Sequence, residues 1–220
     1  MRSALAAEKV LMCFAVREEA APFTPRAEAL PGVRALITGM GARNAEREMR
    51  ASLSKERPDL VITCGFAGGL HPEWPSGLVV FSNDAELALA TALQIAGAQS
   101  AKFHCAPRVA TTAAEKRELH RSTGADAVEM ESGIIQKVCF EQKVRCVTVR
   151  VILDTANEDL PLDFNSLMDA EQRMNYFKLA FAILKSPGKI SALMALQRQS
   201  RAAADRLADV LEQVLKPDIA

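Results

Sequence analysis

Short apolar runs that alternate with helical stretches constrain the fold of this chain more than any other feature. Asp59–Cys64 (DLVITC) is a short apolar run bounded by proline and glycine, and Arg145–Leu153 (RCVTVRVIL) is rich in β-branched residues. Runs of this kind are typical of strands buried on both faces of a sheet. Because helical segments separate them, we expect an α/β fold with three αβα layers and a central mixed, mostly parallel sheet.

The same patterns predict the other elements of the fold. Further strands are expected at Lys9–Val16, Val33–Thr38, Gly77–Phe81, Arg108–Thr111 and Ala125–Val128. Helices are expected at Ala42–Lys55, Asp84–Gly97, Thr112–His120, Ser132–Gln142, Asp163–Leu184 and Ile190–Leu215, and Gly65–Gly69 is expected to form a loop. Residues 1–186 are predicted to be one α/β domain, and residues 187–220 a helical extension that packs on it or on a partner subunit.

Charge and cysteine content narrow the classes of function. The 27 Lys and Arg residues balance 27 Asp and Glu residues, so the chain has no basic signature for nucleic acid. No apolar run is long enough to span a bilayer, and the N-terminal sequence has no signal-peptide pattern. The five cysteines contain no CxxC pair, and the three histidines are isolated. We therefore expect a cytoplasmic protein without a disulfide framework or a metal site.

Carboxylates and glycines follow several of the predicted strands. Glu19 follows the first strand, Glu129–Glu131 follows a short one, and Asp154 ends the most strongly predicted one. Glycine turns at Gly39–Gly41 and Gly65–Gly69 let the backbone approach a ligand closely, although the dinucleotide pattern GxGxxG is absent. A single carboxylate at a strand end is more often a helix cap. Three sets at separate strand ends indicate a ligand site at one edge of the sheet.

Five motifs, in this order, resemble the nucleoside phosphorylase/nucleosidase superfamily, which includes purine nucleoside phosphorylases and methylthioadenosine/S-adenosylhomocysteine nucleosidases. The motifs are Ala15–Glu19 (AVREE), Thr38–Gly41 with Asn44-Ala45, Thr63–Leu70 (TCGFAGGL), Val128–Ser132 (VEMES) and Arg150–Ala156 (RVILDTA). The resemblance implies an enzyme that cleaves the N-ribosidic bond of a purine nucleoside. It also implies a homo-oligomer, commonly a dimer in the nucleosidases, and no cofactor, with phosphate as co-substrate in the phosphorylases.

The resemblance assigns roles to individual residues. Asp154 is similar to the general acid that protonates purine N7, and Glu19 to the carboxylate that positions or deprotonates the attacking water. Glu131, within the segment that also holds Glu129, is similar to the acceptor of the ribose hydroxyl hydrogen bonds, and Met130 would pack against the sugar. These residue types suit the chemistry, because bond cleavage builds positive charge on the sugar and negative charge on the base.

The attacking group is the main point at which this chain departs from the phosphorylases. The hexameric phosphorylases place a phosphate-binding arginine just before the second glycine cluster, where this chain has Thr63. Arg43, beside the backbone of Gly39, Met40 and Gly41, is the nearby cation that could replace it. Water activated by Glu19 fits these residues better than phosphate does.

The pocket for the base and the 5′ group is expected to include Phe66, Ala67, Gly68 and Leu153. The segment between Phe81 and Arg108 is short, so the base-covering insertion of the family is missing. The chain is similar in this respect to the hopanoid-associated phosphorylase-like proteins, and it shares their features at Glu129–Ser132, Asp154–Pro161 and Ser186–Gly188. This similarity implies an adenosyl substrate with a large 5′ substituent, such as adenosylhopane.

Other functions stay open on the sequence alone. A methylthioadenosine/S-adenosylhomocysteine nucleosidase would differ in the 5′ group, and a purine nucleoside phosphorylase in the attacking group. A protein of another class, a nucleoside-binding protein without catalysis, would keep the fold and lose turnover. The apolar face of Ile190–Leu215 predicts packing on the sheet or on a partner subunit, with peripheral membrane contact as the alternative.

Overall fold

The structure, a computed structural model, describes residues 9–169 and 187–216. Its strands are β1 (Val10–Phe14), β2 (Val33–Ile37), β3 (Leu60–Gly69), β4 (Val79–Ser82), β5 (Gln99–Ala101), β6 (Phe103–Cys105), β7 (Ala127–Glu129) and β8 (Arg145–Asp154). Its helices are α1 (Arg17–Ala20), α2 (Thr24–Ala27), α3 (Ala42–Lys55), α4 (Leu87–Ile95), α5 (Ala113–Thr123), α6 (Ser132–Glu141), α7 (Phe164–Leu167) and α8 (Ile190–Leu215), with a 3₁₀ turn at Pro187–Lys189.

In the described residues, eight strands form one sheet. Its main path runs β2–β1–β3–β8–β4–β5, while β7 pairs with the end of β3 and β6 pairs with β7. The pairs are parallel except β4 with β8 and β7 with β3. The predicted mixed, mostly parallel sheet is therefore confirmed.

Helices cover both faces of this sheet because alternate side chains of each strand point to opposite sides. Val10, Met12 and Phe14 of β1 belong to one apolar cluster, which also contains side chains of α1, α4 and α8. Leu11 and Cys13 of the same strand belong to a second cluster, with side chains of α3 and α6. The three-layer arrangement follows from this alternation.

Strands β3 and β8 are the longest pair in the sheet, and they position the residues of interest. Their parallel register runs from Leu60 opposite Arg145, through Gly65 opposite Arg150, and shifts after Ala67. Because each strand has ten residues, both extend well past the carboxyl end of β1. The extension of β8 carries Arg150 and ends at Asp154, opposite Gly68.

Two predicted segments differ from the structure. The segment Gly65–Gly69, predicted as a loop, continues β3, because it pairs with β8 on one side and with β7 on the other. The segment Arg108–Thr111, predicted as a strand, is not one. Side chains satisfy its backbone instead of a neighbouring strand, since Asn165 bonds both the N–H and the carbonyl of Val109.

Strands β5 and β6 were not expected from the sequence, because each has only three residues. Of the helix predicted over Asp163–Leu184, residues 170–184 lie outside the described residues. Within 163–169 only Phe164–Leu167 is helical. The bounds predicted for α3 and α8 agree with the structure.

Helix α8 has two halves with different environments. Leu207, Leu211 and their neighbours in the second half are buried in the same apolar cluster as β1 and β3. The first half exposes Ile190 and Met194, at 43% and 55% of their surface. No helix among the described residues is long and apolar enough to cross a membrane. The division into residues 1–186 and 187–220 stays a prediction.

Candidate active site

Arg150 is the centre of a buried charged cluster at the carboxyl edge of the sheet. Only 1% of the residue is exposed, and its guanidinium donates to the carbonyl of Cys64 and to Oγ1 of Thr63. It pairs with Glu129 at 2.6 Å and lies 3.6 Å from Glu131. Arg150 lies in one of the five sequence motifs, but the resemblance assigned it no role. Its place inside a strand predicted to be buried on both faces could have indicated a buried ion pair, because a buried charge needs a partner.

Glu129 is the ion-pair partner of Arg150 and has both carboxylate oxygens occupied. Oε2 accepts from the backbone N–H of Glu131 and Ser132, and Oε1 accepts from the hydroxyl of Ser132 at 2.6 Å. Burial raises the pKa of Glu129, but Arg150 and the bonds from Ser132 outweigh it, so the pKa is lowered. Glu129 therefore carries a permanent negative charge that fixes Arg150 and the start of α6.

Glu131 faces the glycine turn that precedes α3. Its Oε1 accepts a hydrogen bond from the N–H of Gly41 at 2.9 Å. Gly41 adopts a φ of 79°, which aims this N–H at the carboxylate and is unfavourable for residues with a Cβ. Burial raises the pKa of Glu131 to about 7, against the lowering effect of Arg150. The side chain can therefore change its charge near neutral pH. Met130 beside it is 8% exposed.

Glu19 of α1 reaches the same cluster and contacts β3 at Gly65 and Phe66. Its Oε2 accepts from the N–H groups of Ala15 and Val16, and its Oε1 accepts from the N–H of Phe66 at 2.9 Å. Burial raises the pKa of Glu19, and Arg150 and the three backbone bonds lower it only in part. The close approach requires glycine at position 65, where a Cβ would lie 2.6 Å from Oε1 of Glu19 and 2.7 Å from Nη1 of Arg150.

Asp154 lies at the end of β8 with a cationic partner of its own. Its carboxylate forms an ion pair with the ammonium group of Lys116, a side chain with no exposed surface. Burial raises the pKa of Asp154, and Lys116 opposes this shift. Lys116 was not identified from the sequence, because its position in a helix with other charged residues looked like an ordinary solvated one.

The predicted pocket residues lie at the ends of β3 and β8 but belong to different apolar clusters: Phe66 and Leu153 pack against the cluster that includes α8, and Ala67 packs with Ile152. Ala67 is buried and Phe66 is half-buried. A Cβ on Gly68 would lie 3.6 Å from Oδ2 of Asp154, so this glycine faces the carboxylate directly. Leu153 is half-buried, and its carbonyl accepts from Ser76 and from Gln199 of α8. Of these four residues, Gly68 is the one that faces the carboxylate of Asp154.

The residues of the first glycine turn fall into two groups. Gly41 contacts Glu131, while Gly39 packs against Asn44, which donates to the carbonyl of Met40. Met40 is half-buried, whereas Arg43 is exposed on α3. Among the described residues, no hydrogen bond or ion pair of the buried carboxylates involves Arg43. The structure thus brings Gly41 to the cluster and leaves Arg43 at the surface.

Within residues 9–169 and 187–216, no group of three or more His, Cys, Asp or Glu side chains could hold a metal ion. The cluster instead pairs its carboxylates with Arg150 and Lys116. The arrangement offers three buried carboxyl groups whose pKa values are raised by burial, and perturbed groups of this kind are typical of functional sites.

Comparison with known proteins agrees with the fold. Residues 102–185 match the family model of the phosphorylase superfamily. The 5′-methylthioadenosine/S-adenosylhomocysteine nucleosidase of Neisseria meningitidis, in complex with methylthio-immucillin-A, has a TM-score of 0.69 at 17% identity, over 94% of this chain and 98% of that one. A mutant of the futalosine hydrolase of Helicobacter pylori has a TM-score of 0.65 at 14% identity, over 93% of this chain and 99% of that one. The chain has the α/β fold of these nucleosidases.

Proposed function

We propose that this chain cleaves the N-ribosidic bond of a purine nucleoside and transfers the ribosyl group to water. The observation that carries the proposal is one sheet edge with two separate sets of buried carboxyl groups. Glu19 and Glu131 both lie in the field of the Arg150 charge, and Asp154 forms an ion pair with Lys116. The match to the phosphorylase superfamily supports the same reaction class.

The two sets fit the two ends of the bond that breaks. When C1′–N9 cleaves, the electron pair leaves with the base and positive charge develops on the ribose ring. Carboxylates at Glu19 and Glu131 stabilise the ring charge, and Asp154 gives a proton to N7 of the departing purine. The raised pKa of Asp154 favours the protonated form, from which it can donate.

Water fits the site better than phosphate as the attacking group. The oxygen of water bonds to C1′, and Glu19 takes up the proton that the water loses. The raised pKa of Glu19 makes it a better base than an exposed carboxylate. Phosphate would need a free cation beside the ring, but Arg150 is enclosed by Glu129, Thr63 and Cys64.

Glu131 and Met130 are proposed to hold the ribose. An ionised Glu131 accepts hydrogen bonds from the 2′- and 3′-hydroxyls, and the N–H of Gly41 keeps the carboxylate in place. Met130 provides an apolar surface for the sugar ring. Glu129 contributes indirectly, because its ion pair with Arg150 and its lowered pKa keep it ionised.

The 5′ substituent is proposed to be large and apolar, as in an adenosylhopane. Gln199 of α8 donates to the carbonyl of Leu153, the residue before Asp154, at 2.6 Å. Met194 lies five residues earlier in α8, about 8 Å along the helix axis at the usual helical rise. Met194 and Ile190 are the exposed large apolar side chains of this first half of α8. A long aliphatic 5′ group is proposed to extend to them, whereas a small 5′ group leaves them uncovered.

Release of adenine from a panel of 5′-substituted adenosines, with and without phosphate, tests the proposal. The panel runs from methylthioadenosine and S-adenosylhomocysteine to a long aliphatic 5′ analogue. We expect release that does not require phosphate and favours the long analogue. Dependence on phosphate would contradict the role of water, and a preference for methylthioadenosine would support the nucleosidase alternative.

Two variants assign the reaction to these residues. Asp154→Asn and Glu19→Gln should each lower kcat by about 100-fold or more while nucleoside binding is kept. Glu18→Gln, at the exposed neighbour of Glu19, is the matched control and should leave kcat unchanged. Binding of nucleosides without turnover in the unaltered protein would instead identify a nucleoside-binding protein.

Met194→Asp tests the 5′ subsite separately from the chemistry. The charge should raise KM for the long aliphatic analogue and leave KM for methylthioadenosine unchanged, because only the long group reaches α8. An equal effect on both substrates would contradict the proposed position of the 5′ group.

A further inference from the structure

The environment of Lys116 in α5 is unusual for a lysine. The residue has no exposed surface, although lysine is among the residues least often buried. Its ammonium group donates to the carbonyls of Thr155 and Glu158, both at 2.8 Å, and forms its ion pair with Asp154. The ammonium group thus has three acceptor oxygens around it, two that accept its hydrogen bonds and one in its ion-pair partner, which is the condition for burying a charged amine at acceptable cost.

All three acceptors belong to the end of β8 and the segment that follows it. The same segment is tied to the first turn of α5, because Asp159 accepts from the N–H of Ala113 at 2.7 Å. Lys116 therefore connects α5 to the Asp154 carboxylate and to the backbone that follows it. If only packing of α5 were needed, an apolar side chain would serve, since it would have no charge to compensate.

We propose that Lys116 is a positioning residue for Asp154: its ammonium group holds the carboxylate at the sheet edge, and its positive charge limits how readily Asp154 keeps the proton that it gives to the base. This inference rests on the proposed function. Lys116 keeps its three protons throughout, Asp154 gives one proton to N7, and solvent returns one to Asp154 after the purine has left.

The charged groups around Asp154 make the direction of the effect clear. Lys116 faces it from α5, and Glu158 faces it from the segment after β8. The residues that face it from β3 and β7, Gly68 and Val128, are uncharged. Lys116 is thus the cation beside Asp154 in the described residues, and removing it raises the pKa of Asp154 further.

Lys116→Met keeps the length of the side chain and removes its charge. We expect kcat for adenine release to fall about 10- to 100-fold, because the carboxylate loses its fixed position, while KM changes little. We also expect the alkaline limb of the kcat profile to move up by roughly one to three pH units. A residue with a purely structural role would leave this limb in place.

Two further variants complete the test. Lys116→Arg keeps the charge with a different geometry, so kcat should fall while the alkaline limb stays near that of the unaltered protein. Lys102→Met is the control for loss of a lysine, since Lys102 donates to the carbonyl of Thr123 on the same helix and is exposed. It should change neither kcat nor the limb. An unshifted limb in Lys116→Met, with the chain folded, would overturn the inference.

A measurement without turnover separates this inference from the proposed function. The titration of Asp154 can be followed by ¹³C NMR of aspartate-labelled protein, assigned with Asp154→Asn. In Lys116→Met the midpoint should move to higher pH, whether or not adenine is released from any substrate. If Lys116→Met does not fold, equal midpoints in Lys116→Arg and the unaltered protein are expected, and a rise in Lys116→Arg would contradict the proposal.

Discussion

At the scale of single residues, one buried arginine serves more carboxylates than it can neutralise. Arg150 has a close ion pair with Glu129, and this pair leaves Glu19 and Glu131 with only part of its charge. Burial therefore dominates at both residues and raises their pKa values, whereas it is outweighed at Glu129. Similar side chains in one cluster thus acquire different charges near neutral pH.

Glu131 should make the stability of the protein depend on pH. Its pKa is about 7 in the folded state and near 4.5 in the unfolded chain, so the folded state holds one more proton between these values. The contribution of Glu131 to the free energy of unfolding is therefore fully present below about pH 4.5, and it decreases as the pH rises to about 7. Relative to Glu131→Gln, the unaltered protein should lose stability across this window in urea unfolding.

The control for this effect is Glu18→Gln, at an exposed carboxylate near the same site. Its stability relative to the unaltered protein should change little across the same pH window, because exposed charges contribute little. A stability difference between Glu131→Gln and the unaltered protein that is constant from pH 4.5 to 7 would contradict the raised pKa of Glu131.

At the scale of elements, the glycines of β3 have a role that a loop could not have. Because Gly65–Gly69 stays in the sheet, the N–H of Phe66 is held where Glu19 can accept from it. The absence of a Cβ at Gly65 lets Glu19 and Arg150 approach the strand from outside. The strand thus borders the site with its backbone.

Gly65→Ala should be costly for both stability and catalysis. The new Cβ would lie within 2.7 Å of Glu19 and Arg150, and the φ of 140° adds backbone strain. We expect a loss of roughly 3 kcal/mol in the free energy of unfolding and a lower kcat for adenine release.

Gly77→Ala is the matched control, because Gly77 has a φ of 84° and open space around its Cβ position. It should cost about 1 kcal/mol and leave kcat unchanged. Equal effects would contradict the close approach.

At the scale of the whole molecule, α8 ties the core to the site. Its second half closes one face of the sheet, and Gln199 between the two halves bonds the backbone beside Asp154. Its first half projects from the apolar core, with Ile190 and Met194 exposed. Stability and the proposed substrate contact are therefore assigned to different parts of one helix. The dimer expected from the resemblance stays a prediction.

Substitutions along α8 should separate these two parts. Leu207 is fully buried against the sheet, so Leu207→Ala should lower the free energy of unfolding by about 2–5 kcal/mol in urea unfolding. Met194→Ala removes an exposed side chain and should change it by less than about 0.5 kcal/mol. A large loss at Met194 would show that the first half is also covered by packed structure.

The sequence by itself determined the layer architecture and the position of most carboxylates. Strand and helix patterns have fixed periods of two and 3.6 residues, so they are readable without knowing any contact. The carboxyl ends of parallel strands meet at one edge, and this places Glu19 and Asp154 at the same edge of the sheet as soon as the strands are recognised. The roles given to Glu131 and to the pocket residues came from the resemblance and stay proposals.

Only the tertiary structure decided which charges are paired and which glycines are in the sheet. Arg150 with Glu129, and Lys116 with Asp154, are partners far apart in the chain, and no local pattern specifies such pairs. Gly65–Gly69 has little intrinsic preference for a strand, and its state depends on hydrogen bonds from β7 and β8. Burial, which raises the pKa values in the cluster, is likewise a property of the packed molecule, because it depends on what surrounds a group in space.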